Sequence, residues 1–122
     1  MKEKSSKYVF EAAVQRPLGI VFLHPNGTWE GHDYLVEVVV EREGLDSFDV
    51  VMDFRELEAH LDVILDPFRG KLLSDLGIKN PIELAKHLVN QLERQVLAPA
   101  QIKEINLIDG HQQRITYRVD RG

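Results

Sequence analysis

Apolar and polar residues alternate most clearly between Glu30 and Glu41. Val36, Val38 and Val40 fall on one face with Glu30, His32 and Tyr34, and Glu37 and Glu41 fall on the other. Strand side chains point to opposite faces in turn, so this stretch predicts a long, half-buried strand. Upstream, Tyr8, Phe10, Ala12 and Val14 alternate in the same way and predict a first strand over Tyr8–Val14. Pro17 and Gly19 are expected to break it. Ile20–Leu23 is a short apolar run, and His24-Pro25-Asn26-Gly27 is a turn signal, because Asn-Gly accepts positive φ. The stretch Arg16–Thr28 is therefore expected to fold back as a loop before the long strand.

The periodicity then changes from two to that of a helix. Gly44 and Asp46 mark a turn, and Phe48–Met52 is expected to be extended. Asp53 is a good N-cap with Glu56 at the third helical position, and Phe54, Leu57, Leu61 and Ile64 or Leu65 supply an apolar stripe. Pro67 and Gly70 mark the end of this helix. A connector over 68–79 carries the pair Leu72-Leu73. Asn80, Pro81 and Glu83 then open a second helix, with Ile82, Ala85, Leu88, Val89, Leu92 and Val96 on its buried side and Pro99 beyond its end. Ile102–Asp109 and Ile115–Val119 read as two strands joined by a turn at Gly110, with Ile115, Tyr117 and Val119 facing the core. The order ββααββ predicts an α+β domain: a four-stranded antiparallel sheet with two helices on one face.

Composition narrows the function. The 122 residues suit one domain spanning 1–122, with 1–7 expected to be disordered, and 43% apolar residues suffice for a core. A net charge of −5 with scattered Lys and Arg argues against nucleic acid as a partner. The absence of cysteine excludes disulfides, thiol nucleophiles and cysteine-type zinc sites. The polar start of the chain resembles neither a signal peptide nor a membrane span, so a cytoplasmic protein without a membrane partner is expected.

Five histidines are present. His60 and His87 lie among charged helix neighbours and are expected at the surface, and His111 in a solvated turn. His24 and His32 fall near a plausible cleft. With Glu30 they form a set of metal-ligand type, if the Asn-Gly turn folds over the strand. A hydrogen-bonded structural role for the same residues stays open. Asp109, ending an apolar strand, is a candidate ligand anchor or simply a strand-end aspartate.

The residues Phe10-Glu11-Ala12-Ala13, Gly31-His32-Asp33-Tyr34 before alternating valines, and Val51-Met52-Asp53-Phe54 with Leu57 resemble the 6-pyruvoyltetrahydropterin synthase family. Asn80-Pro81 before Leu84-Ala85, and Ile105-Asn106-Leu107 leading to Tyr117, extend the likeness over nearly the whole chain. That family includes the 6-carboxytetrahydropterin synthases of queuosine biosynthesis. The resemblance implies the tunnelling fold, assembly into trimeric rings or hexamers, active sites between subunits, and a zinc-dependent carbon–oxygen lyase.

Carried over residue by residue, the resemblance implies a degenerate site. The first zinc-binding histidine falls on Val14, the second on Glu30, and only the third, His32, is kept. The catalytic cysteine falls on Asn26. The Asp-His pair after the first helix falls on Asp66-Pro67, leaving Asp66 as the one catalytic carry-over. The glutamate that anchors the pterin falls on Asp109, which keeps the carboxylate. No zinc is therefore expected, and a pterin or purine-like ring is the expected small-molecule partner beside other copies of the chain. Two other readings stay open. One is an active pterin or deazapurine enzyme with its metal re-sited to Glu30, His32 and His24. The other is a metal-free enzyme that borrows acid–base residues from a neighbouring chain.

Overall fold

In the computed structural model, which describes residues 9–44, 51–110 and 113–120, two fifteen-residue strands form one antiparallel hairpin. They are β1 (Val9–Leu23) and β2 (Trp29–Glu43). The Asn-Gly turn closes it. His24 N donates to Thr28 O at 2.8 Å, Gly27 N donates to His24 O at 2.9 Å, and Gly27 takes φ 87°. The Asn26 side chain locks this turn by accepting from Thr28 N at 3.0 Å and Thr28 Oγ1 at 2.6 Å.

The expected break at Pro17 and Gly19 does not occur, and the stretch up to Leu23 is strand rather than loop. The Pro17 carbonyl accepts from Arg69 Nε at 3.4 Å, and the Gly19 carbonyl accepts from Gly70 N at 2.8 Å. Both residues thus turn their backbone groups away from β2. The N–H that proline lacks lies on that outer side and removes no bond from the hairpin.

The chain continues through α1 (Phe54–Leu65), a 3-10 turn at Asp66–Phe68, and a two-residue strand β3 (Lys71–Leu72). A second 3-10 turn leads to α2 (Pro81–Leu92), then β4 (Gln101–Ile108) and β5 (Arg114–Arg118). The sheet order is β3-β1-β2-β4-β5. The four antiparallel strands are as expected. The connector adds a fifth, parallel strand against Ile20 and Val21. Val51 and Met52 are bends rather than strand, and Phe48, Ser47 and Asp46 lie outside the described residues, as do residues 1–7.

Both helices pack on one sheet face. Leu57, Leu61, Ile64 and Leu65 of α1 and Leu84, Ala85, Leu88, Val89 and Leu92 of α2 are buried. They share one core with Leu18, Ile20, Phe22, Tyr34, Val36, Val38 and Val40 of the hairpin. Asp53 caps α1 by accepting from Arg55 N, and Asn80 caps α2 by accepting from Glu83 N at 2.9 Å. Phe54 and Ile82, expected in the apolar stripes, are 56% and 57% exposed. Each sits in a first turn, and Phe54 lies beside the edge of β1 near Ala13 and Gln15, where no strand among the described residues covers it. A register shift opposite Val39 and Val40 skips Lys103. This bulge lets Ile102 and Ile105, three residues apart, both face the core.

Two polar networks complete the frame. On the outer sheet face the buried Asn106 amide donates to Glu37 at 2.8 Å and to Glu104 at 2.9 Å, and it accepts from Thr116. Its neighbours on both flanking strands thus satisfy a group that would be costly to bury alone. On the helix side Asp62 holds Arg16 in a bidentate pair at 2.8 and 2.9 Å and takes Arg69 at 2.9 Å. This clamp ties α1 and the following turn to the middle of β1.

The hydrogen bonds from Arg16 and then Arg69 hold the Asp62 carboxyl below its ordinary value. A carboxylate whose folded value is depressed stabilises the fold above its unfolded value, near 3.9, and loses that contribution as pH falls through the folded value. Asp62→Asn should lower Tm by a few degrees at pH 7. The gap to wild type should close below about pH 3.9 in a pH series of melting curves.

Candidate functional site

Trp29 to Tyr34 open β2 just after the turn, and alternation puts Glu30, His32 and Tyr34 on the core face of the sheet. The turn returns His24 to the same end. The structure brings His24, Glu30 and His32 together, as their types suggested, through a carboxylate bridge. His24 Nε2 donates to Glu30 Oε1, and His32 Nε2 donates to Glu30 Oε2. Those hydrogen bonds, His24 first, hold the Glu30 carboxyl below the usual carboxylate range. The His32 ring stacks on Tyr34, with centroids 4.9 Å apart and planes 10° from parallel, and meets the edge of Phe22 at 6.2 Å.

Asp109 belongs to the same end of the sheet. Leu35 and Ile108 form the last pair between β2 and β4, and one step further Asp109 falls across from Tyr34. Ile105, Leu107 and Asp109 share a parity, so the carboxylate is on the core-face side. Gln113 N donates to its Oδ1 at 3.2 Å, while Asp109 N donates to Gln113 O at 2.9 Å, closing the β4–β5 turn. Burial, with Glu30 and Asp109 nearby, pushes the Tyr34 phenol up to about 12. A shallow groove of about 480 Å³ runs beside His32, over Gly19, Gly31, Asp33 and Gly70. A larger hollow of about 600 Å³ lies around Arg42, His60 and Arg94, at the other end of β2.

The remaining candidates are placed elsewhere. Val14 pairs with Val38, six residues along β2 from His32, a separation of about 20 Å at ~3.3 Å per residue. The residues facing His32 and Tyr34 across the hairpin are Ile20 and Leu18, both buried. Asn26 is spent on the turn. Asp66 and Pro67 form the 3-10 turn after α1, where Asp66 pairs with Arg69 and its side chain is largely exposed. His87 is half-buried rather than superficial, with its ring edge-on to Phe68 at 5.3 Å. His111 lies outside the described residues. Sequence reasoning missed Leu18, Ile20 and the Tyr34 hydroxyl. The position of the Asn-Gly turn, which sets the pairing, was the signal that could have found the first two.

The zinc that the resemblance implies can be tested against these donors. A carboxylate only accepts, so both Nε2 atoms bonded to Glu30 carry protons and offer no lone pair to a metal. Among the described residues no group of three His, Asp or Glu side chains is arranged to hold a metal ion. The residues as placed do not fit the metal. Nor, among the described residues, is any helix long and apolar enough to cross a membrane.

Comparison with known proteins agrees with this architecture. The profile of the family described as 6-pyruvoyl tetrahydropterin synthase matches residues 7–120. The fold is similar to the 6-pyruvoyl tetrahydropterin synthase of Caenorhabditis elegans, with TM-score 0.79 and 14% identity over 93% of this chain and 97% of the other. It is also similar to the synthases of Plasmodium vivax (TM-score 0.69, 13% identity, 93% and 99% covered) and Plasmodium falciparum (TM-score 0.69, 16% identity, 91% and 99% covered). The comparison with curated proteins yields no match. With its sheet, its two helices and nearly its whole length accounted for by one profile, the chain belongs to the 6-pyruvoyl tetrahydropterin synthase family.

Proposed function

We propose that this chain is a family member that binds a pterin or purine-like ring through Asp109 and does not carry out the zinc-dependent lyase reaction. The observation that carries the reading is the Glu30 bridge. The two imidazoles nearest the family's metal position are both engaged by a carboxylate of the chain itself. Three further placements support it. Ile20 and Leu18, which cannot ligate, face His32 and Tyr34 across the hairpin. Asn26, at the position the resemblance gives to the catalytic cysteine, is a turn residue that cannot act as a base. Pro67 stands where the resemblance implies an imidazole. Asp66 is then the one catalytic carry-over, and it is paired with Arg69. Asp109, in contrast, keeps a carboxylate on the core-face side of the sheet, and a ring bearing an amidine edge needs only two parallel acceptors there.

The nearness of His24, Glu30 and His32 favours a second reading, an active pterin or deazapurine pathway enzyme with a re-sited metal. It requires both imidazoles to leave Glu30. The sheet also supports assembly, because β5 and the Val9–Leu18 part of β1 leave open edges that a ring of copies would pair.

Purified protein analysed by elemental mass spectrometry should carry well under one zinc per chain. One tightly held zinc per chain would select the re-sited metal instead. Light scattering should give a multiple of three subunits, with six expected, and a stable monomer at micromolar concentration would remove the interface on which the ring site depends. Asp109→Asn replaces one acceptor oxygen with a donor. It should weaken neopterin binding at least about tenfold, the equivalent of ~1.4 kcal/mol, with little change in Tm. Equal binding by wild type and variant would exclude Asp109 as the anchor.

A further inference from the structure

The side chain that the fold leaves unsatisfied is Arg42. Alternation puts it on the helix-covered face of β2, next in line after Val36, Val38 and Val40. Its Nε is buried, and among the described residues no group accepts from it. Arginine has N–H donors and no acceptor, and a buried donor without a partner is costly. Nε and one Nη form the fork that meets the two oxygens of a carboxylate, so an Nε without an acceptor leaves that fork incomplete. The nearby carboxylates do not complete it. Glu41 accepts from Gln101 Nε2 at 3.2 Å, and Asp53 is engaged as the α1 cap. Glu56 borders the same hollow, and among the described residues it forms no ion pair with an arginine.

The hollow of about 600 Å³ beside Arg42 is of metabolite size. Arg94, just past the end of α2, and the half-buried His60 of α1 border it as well. Met52, Leu97 and Pro99 give it an apolar wall, and Leu97 is 75% exposed there. We propose that this hollow is a second binding site, for a small monocarboxylate with an apolar body. The Arg42 fork takes the carboxylate, Arg94 adds a second positive charge, and the apolar body covers Met52 and Leu97. Asp53 and Glu56 on the same walls repel further negative charge, so a single carboxylate is favoured over a dianionic phosphate. Arg42 lies ten residues along β2 from His32, about 33 Å at ~3.3 Å per residue. The site is therefore separate from the Asp109 end of the sheet, and the inference does not rest on the ring-binding reading.

Calorimetric titration of the full-length protein with benzoate, benzyl alcohol and phenyl phosphate at constant ionic strength tests this. Wild type should bind one benzoate per chain at millimolar concentration, and benzyl alcohol, which lacks the charge, at least about tenfold more weakly. Arg42→Gln and Arg42→Lys should each weaken benzoate at least about tenfold, the second because an ammonium keeps the charge but not the fork. Arg94→Gln, at an exposed position, should weaken benzoate by a smaller factor without moving Tm, and serves if the Arg42 variants fail to fold. Benzoate bound equally by wild type and the folded Arg42 variants, or by none of them, overturns the inference. Phenyl phosphate binding more tightly than benzoate overturns the preference for a monoanion. Without ligand, Arg42→Gln and Glu56→Gln could each lower Tm while the double variant lowers it no further. Glu56 would then be the partner of Arg42, and the inference falls.

Discussion

The register of the β1–β2 hairpin determines which residues can meet at the functional end of this protein. A five-residue turn centred on Asn26 fixes it, through Gly27 at positive φ and the His24–Thr28 bond. Once that turn is set, side-chain alternation sends Leu18, Ile20, Phe22, Glu30, His32 and Tyr34 to one face, and a slip of one residue would send them all to the other. The same register pairs Val14 with Val38, far from the histidines. The Asp62 clamp on Arg16 and Arg69 then carries α1 onto this frame, and β4 lines up along β2 until Asp109 stands across from Tyr34.

Much of the fold was legible in the sequence, for identifiable reasons. The alternating valines of β2, the N-caps Asp53 and Asn80, and the leucine stripes of α1 and α2 are local signals, and the structure repeats them. What failed were places where a local rule met a non-local partner. Proline was read as a breaker at 17, but its missing N–H faces the outer edge, where nothing in the hairpin needs it. Lys71 and Leu72 become strand only because β1 continues far enough to receive them. The bulge at Lys103 answers the spacing of Ile102 and Ile105, which has meaning only against Val38 and Val40.

The site was legible in its chemistry and less so in its geometry. His24, Glu30 and His32 were singled out by type, and the structure brings them together, yet through a carboxylate that occupies both imidazoles. Motif order placed Val14 with them. Pairing register, which sequence order alone does not carry, placed Ile20 and Leu18 there. Asp109 was reached through the resemblance and through its parity with Ile105 and Leu107. Tyr34 was taken as a motif residue, because its stacking on His32 can be recognised only once its surroundings are known.

The central claim is that Glu30 takes both imidazoles at the corner where the family is expected to hold a metal. Ring-nitrogen 1H–15N correlation spectra of His24 and His32, with and without one equivalent of zinc, test it most directly. The account predicts a protonated Nε2 in both rings and no change on adding zinc. Conversion of both Nε2 atoms to unprotonated, metal-bound nitrogens at one equivalent would contradict it.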